Sequence, residues 1–110
     1  MKKKVSFAEE LYKKVSVNNL IIFGIYSINR NGKKCTFEPL VKKCFSLFPK
    51  AFSFSRYSKW PDARKLDRPL RTLRNQKLIS GGPKTSFTLT KRGRKIALEI
   101  AKTFTQRRLL

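Results

Sequence analysis

A run of apolar residues from Leu20 to Ile28 (LIIFGIYSI) sets the first condition on the fold. Its side chains would be apolar on nearly every face of a helix, so other parts of the protein must cover them all. The run has about nine residues, far short of the roughly 20 that a membrane-spanning helix needs. Ser16 or Asn18 is suited to cap its start, and the segment 29–32 to end it. The sequence therefore predicts a central buried helix.

Positive charge is spread along the whole chain. Lys and Arg together number 27 and Asp and Glu together 6, which gives a net charge of +21. Ten basic residues fall in 1–49, nine in 50–77 and eight in 78–110, so the charge does not belong to a tail on a neutral domain. A fold this basic repels itself, which favours a function that uses the charge. The partners it suits are nucleic acid, an anionic membrane or an acidic protein.

The length and composition predict one domain. A chain of 110 residues that is 40% apolar can build a single modest core. We expect a flexible basic N-terminus at residues 1–5, a folded domain at 6–106 and a short tail at 107–110. No secretory pattern follows the first lysines, so the predicted location is cytoplasmic, and nucleoid-associated if the source is prokaryotic.

Helix signals lie on both sides of the central run. The pattern Ser6-x-x-Glu9 is a capping box and predicts a first short helix. Thr36 is suited to cap a helix that Pro49 ends. The aromatic-rich and serine-rich segment 50–60 is predicted to be an irregular or partly extended connector.

The C-terminal part carries the signals of a small hairpin followed by a helix. Segments 78–80 and 85–89 are predicted to be short strands around a turn at 81–84. Thr90 then caps a last helix, whose apolar face comprises Gly93, Ile96, Ala97, Ile100 and Phe104. The predicted fold class is mainly α with a small β-hairpin (α+β).

The stretch KLDRPLRTLRNQKLI, residues 65–79, has a strongly two-sided pattern. We predict that it belongs to a helix over 61–76 that begins at Pro61. At about 100° per residue, one stripe of this helix is apolar and consists of Ala63, Leu66, Leu70 and Leu73. The opposite face, about 140° to 200° away, carries Arg64, Arg68, Arg71 and Asn75, with Arg74 and Lys65 beside it.

Pro69 leaves two starts open for this helix. If the helix begins near Pro61, Pro69 is interior, removes one hydrogen bond and should kink the axis. If Asp67 caps a separate start, Pro69 lies in the permissive first turn. The second case leaves only three residues well placed for base edges, namely Arg71, Arg74 and Asn75. We favour the continuous helix.

The residue types of this face suit duplex DNA. An α-helix fits the major groove, where Arg can donate two hydrogen bonds to guanine and Asn can pair with adenine. The alternative is a solvated basic face, which normally carries compensating acids at helical spacing. Here only Asp62 and Asp67 are present. The pattern therefore favours contact with nucleic acid.

Catalytic and metal-binding patterns are missing from the sequence. The chain has no histidine, the commonest general base and metal ligand. Cys35 and Cys44 are typical of buried thiols. No paired-carboxylate or metal motif is formed by the acids, which are Glu9, Glu10, Glu38, Asp62, Asp67 and Glu99. We expect no enzyme activity, no metal and no cofactor.

Two phrases in the C-terminal half resemble winged helix-turn-helix DNA-binding domains. In that family the recognition helix ends in leucine and arginine, followed after two or three residues by lysine, leucine and isoleucine. A two-stranded wing and a Phe-x-Leu-Thr-x-x-Gly phrase come next. Here the phrases are Leu73–Ile79 (LRNQKLI) and Phe87–Gly93 (FTLTKRG). The connector before the helix is longer than the tight turn of a simple helix-turn-helix.

The resemblance implies a recognition helix at 61–76 in the major groove and a wing tip at 81–84 near phosphates. The expected base-facing residues are Arg64, Arg68, Arg71 and Asn75. The expected phosphate and wing contacts are Arg56, Ser58, Lys59, Lys65, Arg74, Lys84 and Thr85. Trp60, in the connector, is interpreted as a core or hinge anchor because its side chain can bury a large area.

The function predicted from these residues is double-stranded DNA binding in transcription regulation. The alternative is an RNA- or ribosome-associated protein, because an arginine face alone does not distinguish A-form RNA from B-form DNA. A membrane role is disfavoured because the apolar faces are needed for the core. The first and the last helix are the candidates for pairing two copies into a homodimer.

Overall fold

The apolar run forms the buried middle of helix α2 (Val17–Arg30) in the computed structural model. Its buried residues are Leu20, Ile21, Ile22, Phe23, Gly24, Ile25 and Ile28. Three other helices and the hairpin pack against α2. The radius of gyration of 13.2 Å is that of one compact domain of this length, about 13 Å. The predicted central helix is confirmed.

The structure describes residues 9–54, 56–57, 59–82 and 84–109, with side chains described as far as residue 105. Within these ranges the order is α1 (Glu9–Tyr12), α2, α3 (Phe37–Leu47), α4 (Pro49–Phe52), α5 (Arg64–Asn75), β1 (Ile79–Ser80), β2 (Thr88–Leu89) and α6 (Lys91–Leu109). The fold is therefore a mainly helical α+β domain with a two-stranded sheet, as predicted. The expected flexible N-terminus at 1–5 lies outside the described residues.

Helix α2 begins at a side-chain cap, and α1 is described from Glu9 onward. Ser16 caps α2, and its hydroxyl accepts a hydrogen bond of 3.2 Å from the backbone N–H of Asn19. Glu9 is the first described residue and already lies in α1, whose Tyr12 packs edge-on against Phe48 at 5.0 Å between ring centroids. The start of α1 near Phe7 lies outside the described residues.

An aromatic cluster joins three helices at the centre of the core. Phe23 of α2 and Phe104 of α6 meet in a T-shaped pair with 5.3 Å between ring centroids. Phe48, which joins α3 to α4, lies 6.0 Å from Phe104 and 6.4 Å from Phe52. Because aromatic rings bury large areas, this cluster fixes α6 and the start of the connector against α2.

The hairpin is antiparallel, with Ile79 opposite Leu89 and Ser80 opposite Thr88. Phe87, fully buried, extends the pairing through a bridge to Cys35 just before α3. Thr90 follows β2 and caps α6, since its hydroxyl accepts from the N–H of Gly93 at 3.2 Å. The hairpin and the cap of the last helix are confirmed.

Helix α5 begins three residues later than predicted. Pro61 is not its first residue but forms a backbone bridge with Ser53. Asp62, which is buried, accepts a hydrogen bond of 3.1 Å from the N–H of Arg64, and the helix starts there. Ala63 is consequently exposed at the helix boundary, so its assignment to the core stripe was wrong. Pro69 lies inside the continuous helix Arg64–Asn75, as favoured.

The connector contains a short helix and an exposed tryptophan. Its first residues form α4, and Trp60 is 61% exposed, stacked on Tyr57. The interpretation of Trp60 as a core anchor was therefore wrong. Phe52 is buried instead, whereas Arg56, Tyr57, Lys59 and Trp60, which lie between the bridged residues Ser53 and Pro61, are exposed.

Lys77 turns the chain from α5 into the hairpin. The φ of Lys77, +61°, lies in the left-handed region. The N–H of Lys77 donates to Arg74 O at 3.0 Å, and the N–H of Leu78 donates to Leu73 O at 3.0 Å. These bonds close a Schellman motif, in which glycine is the usual residue. The sharp turn is what places the hairpin directly after α5.

Replacing Lys77 with glycine should stabilise the protein. A left-handed residue with a Cβ costs about 1–2 kcal/mol, a cost that glycine avoids, partly offset by glycine's greater freedom in the unfolded chain. We expect Lys77→Gly to raise the free energy of unfolding by about 1 kcal/mol in urea denaturation. Asn at this position should give a smaller gain. A loss of stability with glycine would contradict the left-handed assignment.

Candidate nucleic-acid interface

Helix α5 is held to the core by one face and exposes the other. Leu66, Leu70 and Leu73 are 0%, 5% and 1% exposed, so the predicted leucine stripe is confirmed. The residues predicted to face bases are all exposed, namely Arg64, Arg68, Arg71 and Asn75. Burying three leucines contributes on the order of 5 kcal/mol, so the polar row is presented on a rigid support.

The four polar residues differ in how free they are. Arg64 is bonded to Asp62, with Nε 3.1 Å from Oδ1. Arg71 pairs with Asp67 through Nη2 and Oδ2 at 3.1 Å. The side chains of Arg68 and Asn75 have no hydrogen-bond or ion-pair partner among the residues that the structure describes. The Arg71–Asp67 pair is exposed on both sides and is weak enough to exchange for a phosphate, whereas the Arg64–Asp62 pair includes a buried carboxylate and is held more firmly.

Asp62 anchors the start of α5. Its carboxylate accepts from the side chain and the backbone N–H of Arg64. The hydrogen bond from the Arg64 side chain holds the pKa of this carboxyl below its usual value, against the opposing effect of burial. The same contact raises the pKa of the Arg64 guanidinium. Asp62 therefore stays ionised and keeps the first arginine of the row in place.

The lowered pKa of Asp62 predicts acid sensitivity of the folded state. A carboxyl with a depressed folded pKa stabilises the fold above its unfolded pKa, near 3.9, and loses this contribution as the pH falls through the folded pKa. In Asp62→Asn this contribution should be absent. We expect wild type to have a larger free energy of unfolding than Asp62→Asn in urea denaturation at neutral pH. This difference should shrink below about pH 4. An advantage that is independent of pH would contradict the assignment.

Arg74 links α5 to the tip of the hairpin. Its Nη1 donates to the carbonyl of Gly81 at 3.3 Å, and the tip closes through the N–H of Gly82 donating to Thr85 Oγ1 at 3.1 Å. Lys84 and Thr85 are exposed. Pro83, within the predicted wing tip, lies outside the described residues. The contact brings the tip beside the C-terminal end of the polar row.

The other residues predicted to contact phosphates differ in exposure, unlike the uniformly exposed row on α5. Arg56 and Lys59 are exposed, whereas Ser58 lies outside the described residues. Lys65 is half-buried, and its ammonium donates to the Ser53 carbonyl at 2.8 Å. In the free protein this lysine thus holds the connector against α5. Its phosphate contact stays a prediction.

Two features of the surface are not predicted by the sequence. The first is the stacked pair of Tyr57 and Trp60, for which the three-residue spacing within a loop was the available signal. The second is a hollow of about 380 Å³ between α2 and α3. Four lysines line it, namely Lys33, Lys34, Lys42 and Lys43. It is a basic surface separate from α5 and competes with it as a place for an anionic partner.

Both cysteines are buried free thiols, as predicted. Burial raises the pKa of Cys35 to about 12, and it also raises the pKa of Cys44. Within the described residues, no group of three acidic, cysteine or histidine side chains is arranged to hold a metal ion. No helix in the same part of the chain has the length and apolar character needed to cross a membrane.

Comparison of the chain with protein-family models, curated proteins and solved structures gives no match.

Proposed function

We propose that this protein is a winged-helix domain that binds double-stranded DNA, with α5 in the major groove and the hairpin tip near phosphates. The observation that carries the proposal is the exposed row on α5 opposite three buried leucines. An α-helix presented on a rigid support with free Arg and Asn side chains suits the donor and acceptor pattern of the major groove.

The order of elements supports the winged-helix assignment. Helices α2, α3 and α5 are followed by the hairpin and then by α6. The two phrases that resemble the family form the joints of this order. One provides the Schellman turn around Lys77, and the other provides buried Phe87, the Thr90 cap and Gly93. Residues that carry the resemblance, among them Lys77, Phe87, Thr90 and Gly93, therefore have structural roles in this chain.

The charges suggest a division of roles along α5. Arg68 and Asn75, which have no partner among the described residues, are the best placed to bond base edges. Arg71 and Arg74 are held only by exposed contacts and can turn to phosphates, and Arg64, which is 81% exposed, can contact a phosphate while it stays paired with Asp62. With a net charge of +21, phosphate neutralisation would supply most of the affinity. A role in transcription regulation and homodimerisation stay predictions.

A salt-dependent competition experiment tests the proposal. A labelled DNA duplex of roughly 16 bp, about one and a half turns, is titrated with protein and followed by fluorescence anisotropy. The logarithm of the affinity should fall with the logarithm of the salt concentration, with a slope of about −0.9 for each phosphate contacted. Unlabelled duplex should displace the label better than a structured RNA of equal length. A preference for the RNA would replace the proposal with the RNA-associated alternative.

A further inference from the structure

The loop before α5 displays two large aromatic rings to solvent. Tyr57 and Trp60 are each 61% exposed and stack with 5.6 Å between ring centroids and an angle of 26°. Single exposed apolar side chains are ordinary, but two neighbouring exposed rings form a patch, and such a patch can mark a binding surface. The pair is therefore a candidate binding surface for a ligand that stacks on an aromatic ring.

Backbone hydrogen bonds hold the two ring-bearing residues together and close the base of the loop. The N–H of Trp60 donates to Tyr57 O at 3.0 Å, which holds these two residues, and with them their rings, close together. At the base of the loop, Phe54 N–H donates to Trp60 O at 3.1 Å and Asp62 N–H donates to Phe52 O at 2.7 Å. The rings are thus presented before any ligand arrives.

The base of the loop is fixed to the start of α5. Lys65 of α5 donates to the Ser53 carbonyl, and the Arg64 guanidinium lies over the Phe54 ring, 5.5 Å from its centroid. Asp62, at the end of the loop, bonds Arg64. The base of the loop that carries the aromatic pair is therefore joined to the N-terminal end of α5.

The charges around the pair identify the chemistry of its ligand. Arg56 and Lys59 line a shallow hollow of about 330 Å³ together with the two rings. Both are exposed and have no acidic partner within the described residues. Aromatic rings that alternate with cations match a nucleic acid strand, whose bases stack and whose phosphates need neutralisation. A neutral apolar partner would not use the two cations.

We infer that Tyr57 and Trp60 form a stacking platform for unpaired bases, with Arg56 and Lys59 on the adjoining phosphates. This inference rests on the proposed function, because it places the platform at the N-terminal end of the helix that enters the duplex. The preferred ligand is then a duplex with a single-stranded extension or a frayed end. A blunt, fully paired duplex leaves the platform empty.

Trp60 is the only tryptophan of the chain, so its fluorescence reports on the platform alone. The experiment compares a blunt duplex with the same duplex carrying a short thymine overhang. We expect the overhang to quench the tryptophan fluorescence and to tighten binding by on the order of five- to a hundredfold, the effect of one stacked base. Equal affinity and unchanged fluorescence for the two ligands would overturn the inference.

Two variants of Trp60 distinguish a loss of base stacking from a loss of folding or of duplex binding. Trp60→Ala should lose the preference for the overhang, whereas Trp60→Phe should keep most of it because a ring remains. The exposed position makes both variants compatible with folding. Failure of the blunt duplex to bind wild type would contradict the proposed function, whereas retained blunt binding without an overhang preference contradicts only the platform. Self-association that Trp60→Ala abolishes would assign the pair to a second copy instead and overturn the inference.

Discussion

Gly93→Ala is expected to destabilise the protein by about 3 kcal/mol or more, although alanine normally favours a helix over glycine by about 1 kcal/mol. A Cβ on Gly93, in the first turn of α6, would lie 2.0 Å from the carbonyl oxygen of Leu78. Leu78 O also accepts from Thr90 N–H at 3.0 Å, so the oxygen is fixed in the joint between hairpin and helix. The added methyl group must push α6 away from the hairpin.

The sign of the change makes this test informative. If α6 did not approach the hairpin closely, helix propensity would make Gly93→Ala stabilising. Gly24→Ala in α2 is the matched control, because its Cβ would meet the Cys44 sulfur at 2.9 Å, a side chain that can shift more readily than backbone. Urea denaturation should rank Gly93→Ala as the more damaging of the two. A stabilised Gly93→Ala variant would contradict the close approach of α6 to the hairpin at Leu78, and with it the winged-helix arrangement.

The double variant Arg68→Ala/Asn75→Ala is expected to lose about 2–6 kcal/mol of binding free energy for a preferred duplex, roughly 30-fold to 10⁴-fold in Kd. These two side chains are exposed and have no partner among the described residues, so their removal leaves the fold intact. Each bidentate contact to a base edge is worth about 1–3 kcal/mol, which sets the range. The salt slope should change little, because the arginines assigned to phosphates, Arg64, Arg71 and Arg74, are retained.

The matched control removes one cation and one neutral polar group elsewhere. Lys102→Ala/Thr103→Ala changes the exposed face of α6 and lowers the net charge by the same amount. Binding is measured by anisotropy on one selected duplex and on one unrelated duplex. The α5 variant should lose its discrimination between the two, and the control should keep it. Equal losses in both variants would show that only net charge matters and would contradict base contact by α5.

The fold was predictable where single residues decide local structure. An all-round apolar run must be buried, so α2 could be placed from its residues alone. Ser16 and Thr90 cap helices because their hydroxyls accept backbone N–H groups, a purely local effect. The leucine stripe of α5 followed from helical spacing and holds even with Pro69 inside the helix.

The start of α5 and the position of Trp60 depend on contacts distant in sequence. Proline at a first helical position was a sound local signal, but Pro61 is taken up by its bridge to Ser53. Asp62 then makes Arg64 the first residue of the helix. The same bridge turns Trp60 outward, so its large area is not buried. The bridge between Ser53 and Pro61 and the bond between Asp62 and Arg64 cannot be inferred from the spacing of residues in the sequence.

The candidate site was predictable as a face but not as a set of equivalent residues. Helical spacing places Arg64, Arg68, Arg71 and Asn75 together, and all four are exposed. Their pairing with acids depends on side-chain geometry. Asp62 lies two residues from Arg64, outside the usual helical pair spacing, and engages it only because the helix begins between them. The difference between Arg68 and its neighbours therefore emerged only from the structure.

Mapping the bound surface by NMR is the most direct test of the central claim, that α5 and the hairpin tip contact duplex DNA. Amide and Asn side-chain resonances are followed while a duplex is added at near-physiological salt. The largest shifts are expected along Arg68–Asn75 and at Gly81, Gly82, Lys84 and Thr85, with the exposed face of α6 unchanged. Shifts concentrated at the lysine-lined hollow of Lys33, Lys34, Lys42 and Lys43, with α5 unaffected, would contradict the claim.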